Sequence, residues 1–550
     1  MKKSTWVFIA IAMMLIVGLV AVPLSVSAKS CDPITAVPIP PGQLEFLIQP
    51  WERYIGAPAT PNPVPHVEIP QHPYMAPDGA SNMHNDGYMT DTYEVSGPLG
   101  INTQISTANR SIVGDPTGDP KLVVTTTFDD SGRMVAVAAG ALGPPRLLLL
   151  DPDTLDELAS YVLPDRPYPW YLDVIPLSED PSGGVYFYLD HKDRVVVTTH
   201  DYRLLVLKLP PVNSPCIGFK VIEEYDLSDH VIDFPPTPYP PYTRDKVGPA
   251  LPDWGGQYYW YSTRYGLVGV VNQEDGKIHS MVLEGEQIQN SPAVGEDGFY
   301  VVTDYAMYRF TVDKKGNPVM EWRTEYDRGT ENKPGMILQG SGTTPNLFGD
   351  LVAIADNADP MNVLFLTRDT GVVVASVPVF EEGASCTENA LIGVQHPDGT
   401  YSVIVENNYG YVSYLDTLMG KTTVGGVTRI DVVPDDSDTG YTGSITWNSA
   451  EISCTPVPKM SLANGLVYLY TKSIDPALPF PPFTEYPFTL VDKWYFTAVD
   501  FETGETVYKV LTGEGPFYNN NWAPITLSPD AGTAYIGAIG GLIKIQDSAP

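Results

Sequence analysis

The densest set of reactive side chains in the sequence lies in one short stretch, Ser81-Asn-Met-His84-Asn85-Asp86-Gly-Tyr88-Met-Thr-Asp91-Thr-Tyr93. An imidazole with carboxylates close along the chain suits proton transfer or metal binding, which makes His84 and Asp86 candidate catalytic groups. A second acid–amide pair, Glu388-Asn389, adds another candidate acid in Glu388 and two hard oxygen ligands. Together with Asp91 these would suit a calcium ion, which takes six to eight oxygens. The bland alternative for residues 81–93 is a loop whose side chains cap turns and cover a neighbouring element.

Other reactive residues are more scattered. The eight histidines include no H-x-H or H-x-x-x-H pair, which weakens a transition-metal site. Acidic turns such as Asp435-Asp-Ser-Asp438-Thr-Gly440 and Asp356-Asn-Ala-Asp359 do not fit the calcium-loop frame and read as solvated turns. The four cysteines, Cys31, Cys216, Cys386 and Cys454, contain no close pair, so a C-x-x-C zinc, redox or haem site is unavailable. Disulfides Cys386–Cys454 and Cys31–Cys216 are expected, because Cys386 and Cys454 occupy similar places in successive repeats; isolated thiols are the other reading. The aromatic run Trp254-Gly-Gly-Gln-Tyr-Tyr-Trp260-Tyr suits either stacking of a flat ligand or packing between sheets.

These residues must be positioned by strands. From about residue 95 the chain alternates short β-branched and aromatic runs with Gly, Asp, Asn and Pro, the texture of an all-β domain. One unit recurs: an apolar strand, a polar residue, then a turn. It appears as Leu147–Asp151, Val268–Asn272, Arg309–Asp313, Leu364–Thr367, Val412–Asp416 and Phe496–Asp500, with weaker copies at Leu204–Lys208 and Leu542–Gln546. A second strand precedes most copies, for example Gly298–Thr303, Leu351–Ala355, Tyr401–Val405, Gly465–Tyr470 and Thr533–Gly537. Turn positions 151, 208, 272, 313, 367, 416, 500 and 546 are separated by 41 to 84 residues. The shorter intervals suit the roughly 40–50 residues of a four-stranded propeller blade, and the longer ones imply insertions such as the Pro-rich stretch 474–489.

The pattern Gly-x-Val-Tyr-Val-x-Thr followed by aromatic-x-Val-Asp-x-x-Thr-Gly, best seen at 298–316 and 494–504, resembles the pyrroloquinoline-quinone-like β-propeller repeat over roughly residues 120–547. The resemblance implies an all-β propeller, eight blades of four antiparallel strands or else seven, closed by a strand from residues 92–107. Two tandem β-sandwiches compete, but one repeat type runs through the chain with no linker in its middle. The repeat serves enzymes, assembly factors and sensors alike, so it implies a fold and not an activity. Enzymes of this group that use the quinone usually carry a vicinal Cys-Cys pair, which is lacking here, so pyrroloquinoline quinone is not expected as a cofactor.

In a propeller the loops that lead into the innermost strands face the central channel. Here they supply Gln289-Asn290-Ser291, Ser341, Cys386 to Asn389, Glu451 to Cys454, and Asn520-Asn521-Trp522, with Tyr171-Leu-Asp173 from an earlier repeat. Asn290, Ser341, Asn389, Asn520, Asn521 and Trp522 are therefore the expected ligand-binding residues.

The amino terminus and the composition bound the setting. Residues 1–28 read as a secretory signal: Lys2 and Lys3, an apolar stretch from Trp6 to Val22, then Val26-Ser27-Ala28 for cleavage. An uncleaved anchor is the competing reading, and Lys29 before Cys31 argues against lipidation. Residues 29–94 form a Pro-rich arm and residues 95–550 the propeller, with no membrane span after cleavage. The chain has 550 residues with 66 Asp+Glu against 32 Lys+Arg, a formal charge of −34, and its 43% hydrophobic content can fill a core. Nucleic acid is therefore excluded as a partner, since phosphate binding needs clustered Lys and Arg. With 53 Pro and 48 Gly the fold cannot be mainly helical. The expectation is an exported binding scaffold, secreted, periplasmic or cell-surface, with an envelope or extracellular protein or glycan as partner. A calcium-assisted hydrolase or lactonase at the channel is the alternative, with a quinone-dependent dehydrogenase behind it.

Overall fold

A computed structural model describes residues 33, 35–39, 52–109, 122–139, 144–165, 182–214, 217–233, 245–411, 422–437, 439–454, 457–473 and 493–548. The repeat folds as eight four-stranded antiparallel blades arranged as an eight-bladed β-propeller, one of them widened to a six-stranded sheet by two strands from the arm. Blades 1 to 7 span 122–162, 188–226, 247–282, 293–325, 346–378, 392–449 and 459–514. Blade 8 takes three strands from 525–546 and its outer strand, Gln104–Asn109, from the other end of the chain. That strand closes the ring, as expected, and leaves no gap between the first and last blades.

In four of the repeated strands the terminal Asp or Asn caps the turn that follows it. Asp151 Oδ1 accepts the N–H groups of Asp153 and Thr154 at 2.8 and 2.9 Å, and Asn272, Asp313 and Asp500 do the same at their own turns. The glycine closing the turn has a different cause. Gly504 sits at φ +72° beneath the indole of Trp447, from the outer strand of the preceding blade; a Cβ there would meet the ring at 2.5 Å. Trp447 Nε1 donates to the Phe501 carbonyl at 2.8 Å, and Trp322 makes the same contacts with Arg368 and Gly371 two blades earlier, between blades 4 and 5. The Thr-Gly of the repeat is thus a docking surface for the neighbouring blade.

Both faces of each blade are covered, so its middle strands read as unbroken apolar runs; Leu351–Ala355 is wholly buried. The core is a series of layers between blades and not one centre. Separate apolar clusters join blades 1 and 2, 2 through 5, 5 and 6, 6 and 7, 7 and 8, and 8 and 1. Trp260 of the aromatic run stacks on Phe299 at 4.7 Å between blades 3 and 4, which is the packing alternative for that run.

One repeat copy folds differently from its expected place. The third strand of blade 6 is Val427–Pro434, paired with Tyr401–Glu406, and not Val412–Asp416. Residues 412–421, which carry the expected apolar-then-Asp pattern, lie outside the described residues. The Pro-rich stretch 474–489 also lies outside them, flanked by the paired strands Leu466–Ser473 and Lys493–Asp500 of blade 7.

The arm is woven into the ring. Tyr54–Gly56 adds to the outer edge of blade 7, and Asn62, Val64 and Val67 then donate to the carbonyls of Asn464, Leu462 and Gln395, where inner strands end. Residues 76–93 turn into the ring and follow its inner wall. Ala76 and Ser81 bond to Leu189 of blade 2; the carbonyls of Gly87, Tyr88 and Thr90 accept from Val294, Leu347 and Gly393 of blades 4, 5 and 6. Those of Asp91 and Tyr93 accept from Met460 and Leu462 of blade 7, where Thr92–Tyr93 runs parallel to Lys459–Ser461. Non-glycine left-handed φ values at Asn85 (78°), Met89 (59°) and Asp91 (58°) turn successive carbonyls toward successive blades. No helix among the described residues is long and apolar enough to cross a membrane.

Candidate functional site

The inner-wall segment brings His84, Asp86 and Asp91 to the centre of the ring, where all three are buried. His84 Nδ1 lies 3.1 and 3.2 Å from the two carboxylate oxygens of Asp91, and its Nε2 is 3.4 Å from Thr344 Oγ1 of blade 5. Lys459, the first residue of the inner strand of blade 7, donates its ammonium to Asp91 Oδ1 and to the Met83 carbonyl. Neither the Lys459 nor the Asp91 side chain has any exposed surface. Burial pulls the Lys459 ammonium down from its ordinary range, and the Asp91 charge opposes that shift.

Asp86 stands beside this group and is bonded within its own loop. Its Oδ2 accepts the Thr90 hydroxyl at 2.5 Å and its Oδ1 the Thr90 N–H at 3.2 Å. Burial nevertheless pushes the Asp86 carboxyl up to about 7, with Asp91 adding to the rise and the Thr90 bonds and Lys459 opposing it. Asp78, one turn earlier, is pushed up to about 8 by burial and by the charges of Asp86 and Glu94.

Glu388 and Asn389 are adjacent in sequence but face different partners. Glu388 Oε1 accepts the Ile337 N–H, and its own N–H donates to Asn408 Oδ1 at 2.8 Å. Asn389 Nδ2 donates to Glu406 Oε2 at 2.5 Å, the carboxylate ending the second strand of blade 6. Burial pushes Glu406 up to about 8. Tyr186, which leads into blade 2, is raised to about 12 by burial and then by the Glu388 charge, which brings it within electrostatic reach of that acid. Ser341-Gly342 packs on the same loop: a Cβ on Gly342 would meet the Thr387 carbonyl at 2.1 Å.

Of the three expected metal ligands, Asp91 meets Lys459 and His84, Glu388 accepts the Ile337 N–H through Oε1, and Asn389 donates its Nδ2 to Glu406, leaving the Asn389 Oδ1 buried with no hydrogen bond among the described residues. Among the described residues no group of three His, Cys, Asp or Glu is arranged to hold a metal ion. The remaining loop residues hold their own loops. Asn520 Nδ2 donates to the Ala523 carbonyl at 3.1 Å, Asn521 Oδ1 accepts from Tyr411 at 3.2 Å, and Trp522 packs edge-on to Tyr411 at 4.8 Å. Ser341 Oγ pairs with Thr343 Oγ1 at 3.0 Å, and Asn290 is half-buried, its Nδ2 making no hydrogen bond among the described residues. Tyr171 to Asp173 lie outside the described residues.

The expected Cys386–Cys454 disulfide is not made: both residues are buried thiols. Asn408 ties the two loops together. Its N–H donates to the Cys386 carbonyl at 2.9 Å and its Nδ2 to the Cys454 carbonyl at 2.8 Å. Burial raises the Cys386 thiol far above its usual range, and Sγ contacts the Pro334 carbonyl at 3.4 Å. Cys31 and Cys216 lie outside the described residues.

Sequence reasoning missed Lys459 and Glu406. Their signal is a lone charge at the end of an apolar strand, in Lys-Met-Ser and in Tyr-Ser-Val-Ile-Val-Glu, where a charge is buried only if it is paired or neutralised.

No family model matches the chain. An uncharacterised protein of Archaeoglobus fulgidus is 28% identical over 319 residues, covering 52% of this chain and 58% of that protein, so the match spans little more than half of the relative. Among solved structures, a europium-containing methanol dehydrogenase aligns with a TM-score of 0.50 at 11% identity, over 86% of this chain and 98% of its own. BamB from Moraxella catarrhalis aligns with a TM-score of 0.32 at 12% identity, over 65% of this chain and 94% of its own. At these identities the likeness is one of fold: the chain is an eight-bladed propeller with a quinoprotein-like repeat.

Proposed function

We propose that the protein is an exported propeller scaffold that binds a protein partner on its loop face, in the cell envelope or outside the cell. One observation carries this reading: the channel where a propeller would hold a small ligand is occupied by the chain's own residues 76–93, hydrogen-bonded blade by blade to the inner strands. His84 and Asp91, the groups best suited to proton transfer, are buried and bonded to each other, with Lys459 on Asp91 and Thr344 beside His84. What remains available for recognition is the face where the inner strands begin, built from the long loops between blades.

The second reading, catalysis at the channel, rests on Glu406, a buried acid with a pKa raised to about 8 beside Asn389. Crosslinking in the producing cell followed by affinity capture separates the two. The scaffold reading expects a partner recovered reproducibly from the envelope or medium, together with no calcium or quinone in purified protein grown with both. Stoichiometric calcium or quinone, with no partner under several growth conditions, would overturn it.

A further inference from the structure

The pair formed by Lys459 and Asp91 lies in unusually dry surroundings. Four other lysine–carboxylate pairs, Lys277–Asp275, Lys493–Glu52, Lys509–Glu451 and Lys544–Asp153, keep exposed surface on at least one side chain. Lys459 and Asp91 keep none on either. The ammonium touches Asp91 Oδ1 and the Met83 carbonyl, and His84 Nδ1 lies 3.1 and 3.2 Å from the two Asp91 oxygens. A carboxylate only accepts, so His84 Nδ1 carries the proton of that contact. The other titratable groups within electrostatic reach are Asp86 and Tyr93, both buried.

Two opposite charges held without water are costly to keep as charges. Passing one proton from the ammonium to the carboxylate leaves a neutral amine against a neutral acid, and burial favours that exchange; it already pulls the Lys459 ammonium down from its ordinary range. A free amine is a nucleophile, which the permanently charged guanidinium of arginine is not. The lysine nitrogen touches Oδ1, so it stands one C–O bond from the carboxyl carbon. Groups fixed against each other in this way react as though each were present at about 10⁵–10⁸ M. In water an amine and an acid remain apart because hydration stabilises their ions. That stabilisation is missing where neither side chain meets solvent.

We propose that Lys459 and Asp91 condense to an intramolecular amide, assisted by His84, so that the arm is tied covalently to the inner strand of blade 7. The ammonium first passes one proton to the Asp91 carboxylate. Nζ then bonds to Cγ, while the His84 Nδ1–H holds the oxygen on which negative charge collects. A second proton moves from Nζ to the departing oxygen, the Cγ–O bond breaks, and one water leaves. Of the three ammonium protons, one stays on the amide and two leave in the water, so no oxidant, reductant or further reactant takes part. The product carries neither buried charge. Its N–H retains the Met83 carbonyl as acceptor and its C=O retains His84 as donor. The tie joins positions 368 residues apart and does not depend on what the propeller binds.

The test uses the purified full chain, denatured and reduced after folding. Protease digestion and mass spectrometry are expected to find one linked peptide, joining the segments that contain Asp91 and Lys459 and lighter than their sum by one water. A chain nicked between blades 1 and 6 should also run as a single band on a reducing denaturing gel. Lys459→Arg keeps the charge pair without a reactive amine; it should give no linked peptide and two bands after nicking. His84→Gln, followed from synthesis, should link roughly tenfold or more slowly. Folded wild-type protein with no linked peptide overturns the proposal. So does a loss of water confined to Asp86-Gly87 or Asp91-Thr92, which would be a cyclic imide, or a single band after nicking of Lys459→Arg. Links at Lys493–Glu52 or Lys509–Glu451 in equal yield would show unselective condensation and overturn it as well. An unchanged rate in His84→Gln overturns the part given to His84.

Discussion

Lys459 and Asp91 form an ion pair with no exposed side-chain surface on either partner, joining an inner strand of blade 7 to an arm 368 residues earlier in the chain. A pair this deep is costly to desolvate and far costlier to break on one side. It fastens the arm inside the ring, so the arm and the ring should form and unfold together. Replacing Lys459 with Met, or Asp91 with Asn, is expected to destabilise the protein by about 3–5 kcal/mol. The double variant should recover part of that loss. Denaturant unfolding of the two single variants and the double variant, read as a mutant cycle, measures the coupling.

The arm's hydrogen bonds predict a pattern of protection. The amides of Val294, Leu347, Gly393 and Met460 donate to arm carbonyls and not to a strand partner. Their hydrogen exchange should be as slow as that of the blade cores, and should accelerate on all four together in the Lys459→Met variant. Mass-spectrometric exchange resolves this; acceleration at one blade alone would show that the arm is not a single unit.

Buried acids set the pH dependence of stability. Burial raises Glu406 from its ordinary 4.5 to about 8 and Asp86 from 3.8 to about 7. Between its unfolded and folded pKa each carboxyl binds its proton in the folded state and not in the unfolded one, so stability falls as pH rises through that window. The contribution is complete below about pH 4.5 and lost by about pH 8. His72, lowered from 6.5 to about 4 by burial, acts in the opposite sense over the lower part of the window. The clearest decline is therefore expected between about pH 6.5 and 8. Glu406→Gln should flatten it, and thermal unfolding at a series of pH values tests both statements.

The Trp-on-Gly docking of the repeat predicts an unusually sensitive glycine. Gly504→Ala would place a Cβ 2.5 Å from the Trp447 ring at φ +72°, combining a clash with a strained backbone. A loss of about 2–4 kcal/mol is expected. Gly440, also at positive φ (+77°) but with open space around it, is the control: Gly440→Ala should cost only the backbone term, about 1 kcal/mol.

The two described cysteines should behave as inert thiols. Cys386 and Cys454 are both buried, and a raised thiol pKa at Cys386 leaves little thiolate to react. Peptide mapping after alkylation is expected to find both unlabelled in the native protein and both labelled in denaturant without reductant. Recovery of a disulfide-linked pair of these two peptides would contradict the Asn408 arrangement.

The sequence alone determined the repeat, because its cause is local. An Asp or Asn that caps its own turn leaves its mark every few dozen residues, the Gly beside it is fixed both by positive φ and by the neighbouring blade's Trp, and apolar runs follow from sheets covered on both faces. That logic made Asp151, Asn272, Asp313 and Asp500 legible as strand ends and carried the eight blades and their closure from the amino-terminal side. It failed in blade 6, whose third strand is Val427–Pro434 and not the expected copy ending at Asp416. Residues 81–93 could be seen to hold reactive groups, yet nothing local says that Asp91 meets Lys459 and not Glu388, or that Asn408 bridges the loops of Cys386 and Cys454. Those partners are hundreds or tens of residues apart, chosen by how the ring closes around the arm. Tertiary structure decided them because a buried charge or amide takes whichever partner the packing brings within hydrogen-bond reach, and that proximity has no spacing in the sequence.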